Sequence, residues 1–315
     1  MAKILVTGGA GFIGTNLVGR LLEDGHEVYS ADNFVIGERK NAELYKDNPN
    51  YHFVEIDIDN LKEFLARFKG IKFDIIYHLA ANSDIKKGGQ NPAVDYRDTF
   101  STTRSVLELM LQNGISNLFF ASTSAIYGDV NGEKATEDLG GLKPISYYGG
   151  AKYACENFIS AYTYMNDFNT VVFRFPNVIG THLTHGVIYD FVNKLKNNPH
   201  ELEILGDGTQ TKPYIFVDDL VDVIIRMTQN IKPGMEIYNI GVEGATSVTT
   251  IADILCDVMG LNDVEYKYTG GKVGWKGDVP KFQYNLDKIH ATGWKAKYNS
   301  DEAVRKTCEW VKENI

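Results

Sequence analysis

No apolar run in the 315 residues is long enough to span a bilayer, which takes about 20 consecutive apolar residues. The chain is therefore not expected to cross a membrane. Met1 leads straight into a strand-like run, so no secretory leader is expected. Cysteine is scarce: Cys155, Cys256 and Cys308 are scattered and odd in number, and read as free thiols of a reducing cytoplasm. Positive charge is in deficit, with 32 Lys and Arg against 41 Asp and Glu and a net charge of −9. A broad surface for nucleic acid or anionic lipid is thereby disfavoured, and any phosphate-binding cations must be local. Internal repeats, low-complexity segments and linkers are absent too. What remains, 43% hydrophobic and 23% charged, is the composition of a globular protein. The length suits one large core, or a major domain with a smaller one.

The stretch that organises the rest is Lys3-Ile4-Leu5-Val6-Thr7-Gly8-Gly9-Ala10-Gly11-Phe12-Ile13-Gly14. Ile4 to Val6 reads as a strand buried on both faces. Gly8, Gly11 and Gly14 then turn the chain into a helix that runs to about Asp24. The three glycines serve a tight turn, close backbone approach to a diphosphate, and close packing of helix on strand. The helix start, at Phe12 and Ile13, offers unpaired N–H groups and a positive dipole end to an anion. A second strand, Glu27 to Ala31, ends in Asp32, 24 positions after Gly8, with Asn33 beside it. A carboxylate there accepts hydrogen bonds from the adenosine ribose and repels the 2'-phosphate of NADP. A glycine-rich turn without a ligand is the other reading. Strand, glycines, helix, strand and acid in that order favour a dinucleotide site, with NAD as the cofactor.

Asn33 to Asn50, with Gly37, Arg39 and Lys40, reads as a loop and short helix beside the adenosine, or as a solvated charge cluster. His52 to Ile56 is the next strand. Asp57 and Ile58 at its end are placed to meet the adenine, one by hydrogen bond and one by packing. Lys62 to Phe68 is an amphipathic helix. Asp74 to Asn82 is a buried strand whose last residues, Leu79, Ala80 and Ala81, suit a chain passing close to a cofactor. Apolar spacing predicts a helix over Pro92 to Gln112. Leu118 to Ala121 is a strand opening into Ser122-Thr123-Ser124-Ala125-Ile126-Tyr127-Gly128, at the end of a strand where ligands sit in open α/β sheets.

A long helix is predicted over Ser146 to Asp167. Tyr148 and Lys152, four apart, stand on one face of it, about 6 Å apart along the axis. Taken alone, that spacing reads as an exposed amphipathic face. Gly149 and Gly150 cost roughly 1 kcal/mol each relative to alanine in a helix, so something is expected to approach this turn closely. Thr170 to Phe175 is a strand. Beyond it the alternation loosens: helices over Val187–Leu195, Asp218–Met227, Thr249–Met259 and Ser300–Glu313, and strands over Glu201–Leu205 and Val264–Tyr268. Residues 1–177 read as a Rossmann-type domain, a doubly wound parallel sheet to which some later segments return. Residues 178–315 read as a smaller α/β substrate lobe, and the cleft between the two is the expected substrate site.

Oxidising an alcohol with a nicotinamide needs a base for the hydroxyl proton while hydride leaves the same carbon. Tyrosine, with a reference pKa of about 10, is too weak a base at neutral pH. A lysine ammonium and the positive nicotinamide ring together are expected to lower that value. A Ser or Thr hydroxyl can orient the substrate oxygen. Thr123, Tyr148 and Lys152 supply these three parts.

On these motifs the chain resembles the extended short-chain dehydrogenases/reductases, specifically their nucleotide-sugar epimerase/dehydratase group. The resemblance runs over essentially the whole length. It covers Thr7-Gly-Gly-Ala-Gly-Phe-Ile-Gly14, Asp57-Ile58, His78-Leu-Ala-Ala81, Ser122-Thr-Ser-Ala-Ile-Tyr-Gly128, Tyr148-Gly-Gly-Ala-Lys152, Arg174-Phe-Pro-Asn177 and Gly206-Asp-Gly-Thr-Gln210. It implies Tyr148 as base, Thr123 as its hydroxyl partner, Lys152 on the nicotinamide ribose, and Phe175 against the cofactor. Ser124 and Asn177 are implied on the nucleotide-sugar. The resemblance also implies a homodimer joined through the helices of Pro92–Gln112 and Ser146–Asp167.

The chain departs from the group at three points. Dehydrating members carry Asp-Glu after the catalytic Thr and decarboxylating members a Glu, whereas this chain has Ser124-Ala125. Lys212 stands where many members have an arginine on the diphosphate, keeping the charge but losing the bidentate fork. Pro213 replaces the acid that usually follows. Gly274-Trp-Lys-Gly-Asp-Val279 is similar to an Arg-x-Gly-Asp segment at the nucleotide ribose, with Trp275 for the Arg and Asp278 as the contact. His182 and His185 lack an evident third ligand, so no metal is expected. His185 reads as a substrate contact or an ordinary surface histidine.

The function expected is NAD-dependent epimerisation, at C4 of a UDP-hexose or related nucleotide-sugar, through a transient 4-keto sugar. The alternatives are a reductase or dehydrogenase of nucleotide-sugars, a dehydratase, and a catalytically silent dinucleotide-binding protein. The intact Thr123, Tyr148 and Lys152 argue against the last, and Ser124-Ala125 argues against the dehydratase.

Overall fold

Short apolar runs alternating with amphipathic stretches lay the first half of the chain out as strand and helix in turn. The computed structural model describes residues 1–130, 132–271 and 283–314. Six strands, β1 (Lys3–Thr7), β2 (Glu27–Asp32), β3 (Tyr51–Glu55), β4 (Ile75–His78), β5 (Asn117–Thr123) and β6 (Asn169–Phe175), share a sheet with a later strand, Gly234–Asn239. From one edge the order is Gly234–Asn239, β6, β5, β4, β1, β2, β3. β1 pairs in parallel with both β2 and β4, so the winding reverses there. The carboxyl ends of β1 and β4 thus form the switch point where open α/β sheets bind ligands. Leu5, Val6 and Ile76 are fully buried, as a sheet covered on both faces requires. This is the doubly wound Rossmann-type sheet read from the sequence.

The helices of this part are α1 (Phe12–Glu23), α2 (Arg39–Glu43), α3 (Leu61–Arg67), α4 (Ile85–Gln90), α5 (Pro92–Asp95), α6 (Thr102–Asn113) and α7 (Tyr147–Asn166). α1 buries Leu17, Val18, Leu21 and Leu22, the i, i+3, i+4 stripe of a core-facing helix. α7 starts where the Ser146 hydroxyl accepts the Gly149 N–H at 3.0 Å, and ends on Asp167 in the left-handed conformation. Phe64, Phe68 and Phe73 meet edge-on and pack with Leu107, Met110, Phe120 and Val172 in one buried apolar cluster.

Three elements differ from expectation. The helix predicted over Pro92–Gln112 is broken into α5, one π-helical turn at Tyr96–Ser101, and α6. α4 has no clear mark in the sequence, because Gly88 and Gly89 weaken its propensity. Asp84 caps it by accepting the Lys87 N–H at 2.9 Å. The strand predicted over Asp74–Asn82 ends at His78, where the backbone leaves the sheet.

The chain forms two compact units: residues 1–128, 140–174 and 223–238, and residues 129–139, 175–222 and 239–315. In the second unit, Asn177–Ile179 pairs in parallel with Tyr214–Phe216, and Glu201–Ile204 with Glu265–Tyr268. Thr211–Lys212 runs antiparallel to Thr246–Ser247. The helices Val187–Asn197, Val248–Met259 and Ser300–Asn314 pack on one another, burying Ile188, Phe191, Val192, Leu255, Val304 and Cys308. These longer elements follow the predicted spans within two or three residues. The two- and three-residue strands were not legible. No helix among the described residues is long and apolar enough to cross a membrane.

Candidate functional site

At the end of β1 the backbone is packed too closely for side chains. A Cβ at Gly14 would lie 2.1 Å from the Gly8 carbonyl oxygen. One at Gly8, whose φ is 74°, would lie 2.7 Å from the Ala80 nitrogen. Leu79, Ala80 and Ala81 therefore run against the glycine turn, with the Leu79 N–H donating to the Thr7 carbonyl at 3.1 Å. No side chain caps α1 at Gly11, so the first-turn N–H groups around Phe12 and Ile13 face outward from the helix end. A crowded glycine cradle beside an uncapped helix N-terminus fits a dinucleotide diphosphate.

Asp32 is only 6% exposed. Its carboxylate accepts the Ala10 N–H at 3.0 Å and the Phe34 N–H at 2.8 Å, bracing the glycine turn against the loop after β2. Burial pushes its pKa up, and these backbone donors, with that of Asn33, oppose the rise. Asn33 and Asp57 are exposed and lie 3.4 Å apart through Asn33 Nδ2, while Ile58 is buried.

The candidate chemical groups line up between β5 and α7. Thr123 closes β5, and its hydroxyl accepts the Ala125 N–H at 3.2 Å and stands close enough to Tyr148 to favour ionisation of the phenol. Lys152, 2% exposed, donates from Nζ to the Ala121 carbonyl at 2.6 Å and stands 4.6 Å from the Phe120 ring centre. Burial lowers the Lys152 pKa to about 8, against the opposing pull of Cys155 and Glu156. Burial raises Tyr148 to about 12, which the Thr123 hydroxyl partly offsets and Asp95 and Cys155 reinforce. The Lys152 charge is directed at a backbone carbonyl, and desolvation dominates the phenol in the protein by itself. Gly149 carries the close approach predicted for it, since a Cβ there would lie 2.4 Å from the Ala125 carbonyl oxygen. Gly150 has nothing within 4 Å, so only one of the two glycines is required by packing. Ser124 begins a short 3₁₀ turn after Thr123 and is half-buried.

Sequence reasoning missed the network behind this row. Glu156, one turn beyond Lys152, receives Arg174 Nε at 3.1 and 3.2 Å and Nη2 at 2.7 Å. Arg174 Nη1 donates to the Tyr127 hydroxyl at 2.9 Å, and the Ser122 hydroxyl donates to Glu156. Glu156 is 3% exposed and Arg174 4%. Burial works against the Arg174 charge, but Glu156 holds its pKa above the usual arginine value. The available signal was periodic: Tyr148, Lys152 and Glu156 are spaced by four. On β4, His78 bonds Thr7 through Nδ1 at 2.7 Å and Thr103 through Nε2 at 3.0 Å, tying β1 to α6 at the switch point. Burial, with the Lys152 charge, depresses it to about 3, so it is neutral.

The second unit carries the other candidates. Phe175 is half-buried, and Asn177 is exposed on a strand opposite Tyr214. His185 is exposed, with Nδ1 2.9 Å from the Thr184 hydroxyl. Lys212 is half-buried on the short strand opposite Thr246. Asp278 and the rest of Gly274–Val279 lie outside the described residues. No cluster of three His, Cys, Asp or Glu suited to a metal occurs among the described residues.

The chain is similar to a UDP-galactose 4-epimerase of known structure, with 34% identity, a TM-score of 0.86, and 99% of each chain covered. It is similar to the UDP-glucose 4-epimerase of Thermus thermophilus, solved in complex with NAD, at 28% identity and a TM-score of 0.87 over 99% and 100% of the two chains. It is also 28% identical to human dTDP-D-glucose 4,6-dehydratase over 99% of this chain and 91% of that one. The sequence pattern of one family extends over residues 4–241, from β1 to beyond the last strand of the main sheet. With that match, and with a fold shared along its whole length, the chain belongs to the NAD-dependent epimerase/dehydratase family.

Proposed function

We propose that the protein inverts C4 of a UDP-hexose, or a related nucleotide-sugar, through a transient 4-keto sugar. The observation that carries this reading is the Thr123–Tyr148–Lys152 row, followed by Ser124-Ala125 where a dehydrating site would place carboxylates. Bound NAD supplies a reversible hydride acceptor, and its positive ring adds the charge that would favour a phenolate. Tyr148 takes the C4 hydroxyl proton as C–H hydride leaves the same carbon, and it returns the proton when hydride is delivered to the opposite face. Thr123 orients the substrate oxygen beside Tyr148. Lys152 would hold the nicotinamide ribose, Asp32 the adenosine ribose, and the α1 N-terminus the diphosphate. Phe175 is assigned to the cofactor, and Ser124, Asn177, His185, Lys212 and Asp278 are assigned to the nucleotide-sugar. Two relatives of similar overall fold are 4-epimerases by name, which supports C4 as the centre inverted.

The test is NMR of the purified protein with a panel of nucleotide-sugars and no added reductant. An equilibrium pair of C4 epimers is expected for at least one of them. A net reduction or oxidation, or a deoxy-keto product, would contradict it.

A homodimer formed through α6 and α7 completes the proposal. Apolar residues stand exposed on these helices and the preceding π turn: Tyr96, Leu111, Phe158, Tyr164 at 86% and Met165 at 75%. Light scattering at micromolar concentration should give twice the chain mass. A monomer would count against the pairing.

A further inference from the structure

We infer that Glu55 sets the choice of dinucleotide by engaging Arg39, a cation otherwise suited to a 2'-phosphate. The inference rests on reading the glycine turn and Asp32 as the dinucleotide site.

Asp32 and Glu55 are register partners across β2 and β3, so their side chains leave the sheet on the same side. Arg39 follows closely after a loop that packs on Asp32. A Cβ at Gly37 would lie 2.8 Å from Asp32 Oδ1, and the Glu38 N–H donates to the Ala10 carbonyl at 3.1 Å. The Arg39 fork closes on Glu55 by two bonds, Nη1 to Oε2 at 2.9 Å and Nη2 to Oε1 at 2.7 Å. Its guanidinium carbon stands 4.4 Å from the centre of the Phe34 ring.

Phe34 is itself in a conformation that bulky residues avoid, with φ at 58°. The Asp32 carboxylate holds its N–H, and its ring lies 5.2 Å from that of Phe53. Phe34, Arg39, Phe53 and Glu55, together with Tyr51 and Lys46, line a cavity of about 490 Å³. A strained aromatic, a stacked guanidinium and two carboxylates are more than a solvated charge cluster requires.

A planar guanidinium fork fits phosphate as well as it fits carboxylate. With Glu55 in place, a 2'-phosphate meets two carboxylates and an arginine whose fork is already occupied. With Glu55 removed, it meets Asp32 and a guanidinium that Phe34 still anchors. The pair is exposed, 66% for Arg39 and 53% for Glu55, so its loss should cost the fold little.

The test is a partition. Purified protein is exchanged against an equimolar mixture of NAD and NADP, and the bound dinucleotide is released by denaturation and quantified. Glu55→Ala is expected to raise the bound NADP-to-NAD ratio about tenfold over wild type, the value of one new charge-assisted contact. Adding Arg39→Ala to that variant should return the ratio to the wild-type level. An unchanged ratio in Glu55→Ala overturns the inference. So does a raised ratio that persists without Arg39, since the gain would then come from removing negative charge alone. Wild-type protein that retains neither dinucleotide would overturn the underlying site reading, and the inference with it.

Discussion

Tyr148→Phe should lose about 10²- to 10⁴-fold in turnover while retaining its cofactor, the range that one positioned proton-transfer group supplies. The substitution removes one hydroxyl, and with it the interaction with Thr123, but leaves the ring and the start of α7 unchanged. Burial, reinforced by Asp95 and Cys155, drives the phenol the wrong way for a base, up to about 12. Positive charge brought by a bound dinucleotide would oppose that shift, which ties the chemistry of the hydroxyl to occupancy of the dinucleotide site. Lys152→Met should impair cofactor retention and turnover together, because the lysine is assigned to the ribose as well. Turnover rates and released NAD for both variants separate the roles. Near-normal turnover by Tyr148→Phe would move the base elsewhere.

The second large effect is on stability. Glu156→Gln should destabilise the protein by about 3–5 kcal/mol, because it leaves the Arg174 charge buried without its partner. Glu156→Leu combined with Arg174→Met should be far closer to wild type, since an apolar pair of similar volume removes both desolvation penalties. Urea unfolding of the single and double variants measures the difference. A Glu156→Gln variant within about 0.5 kcal/mol of wild type, the usual range of a surface substitution, would mean that the pair is not the buried tie described. The double variant should still turn over more slowly. Glu156 also receives Ser122 on the strand that carries Thr123, and Arg174 holds Tyr127 in the turn beyond it.

Much of this arrangement was legible because backbone requirements leave plain marks in sequence. Gly8 and Gly14 are unavoidable where strand, turn and helix come within van der Waals contact, and Asp32 is unavoidable as an acceptor at the end of β2. Tyr148 and Lys152 were visible by spacing, and the chemistry of the pair made them candidates. Glu156 was not, because a glutamate four residues further along a helix ordinarily faces solvent. Only the three-dimensional return of β6 brings Arg174 to it. The π turn at Tyr96–Ser101 preserves the apolar spacing on either side and so reads as unbroken helix. Gly150 misled by analogy with Gly149: one is pressed on the Ala125 carbonyl and the other meets nothing. The Arg39–Glu55 pair joins residues 16 apart on different elements, and no local pattern announces it.

The central claim is that proton and hydride leave and return separately, with Tyr148 handling only the hydroxyl proton. NMR of the converting nucleotide-sugar in D₂O tests it most directly. The account predicts C4 epimer formation with no deuterium on carbon, and full retention of label from a 4-deuterated substrate. Deuterium appearing on product carbon in stoichiometric amount, or a deoxy-keto sugar accumulating, would contradict it.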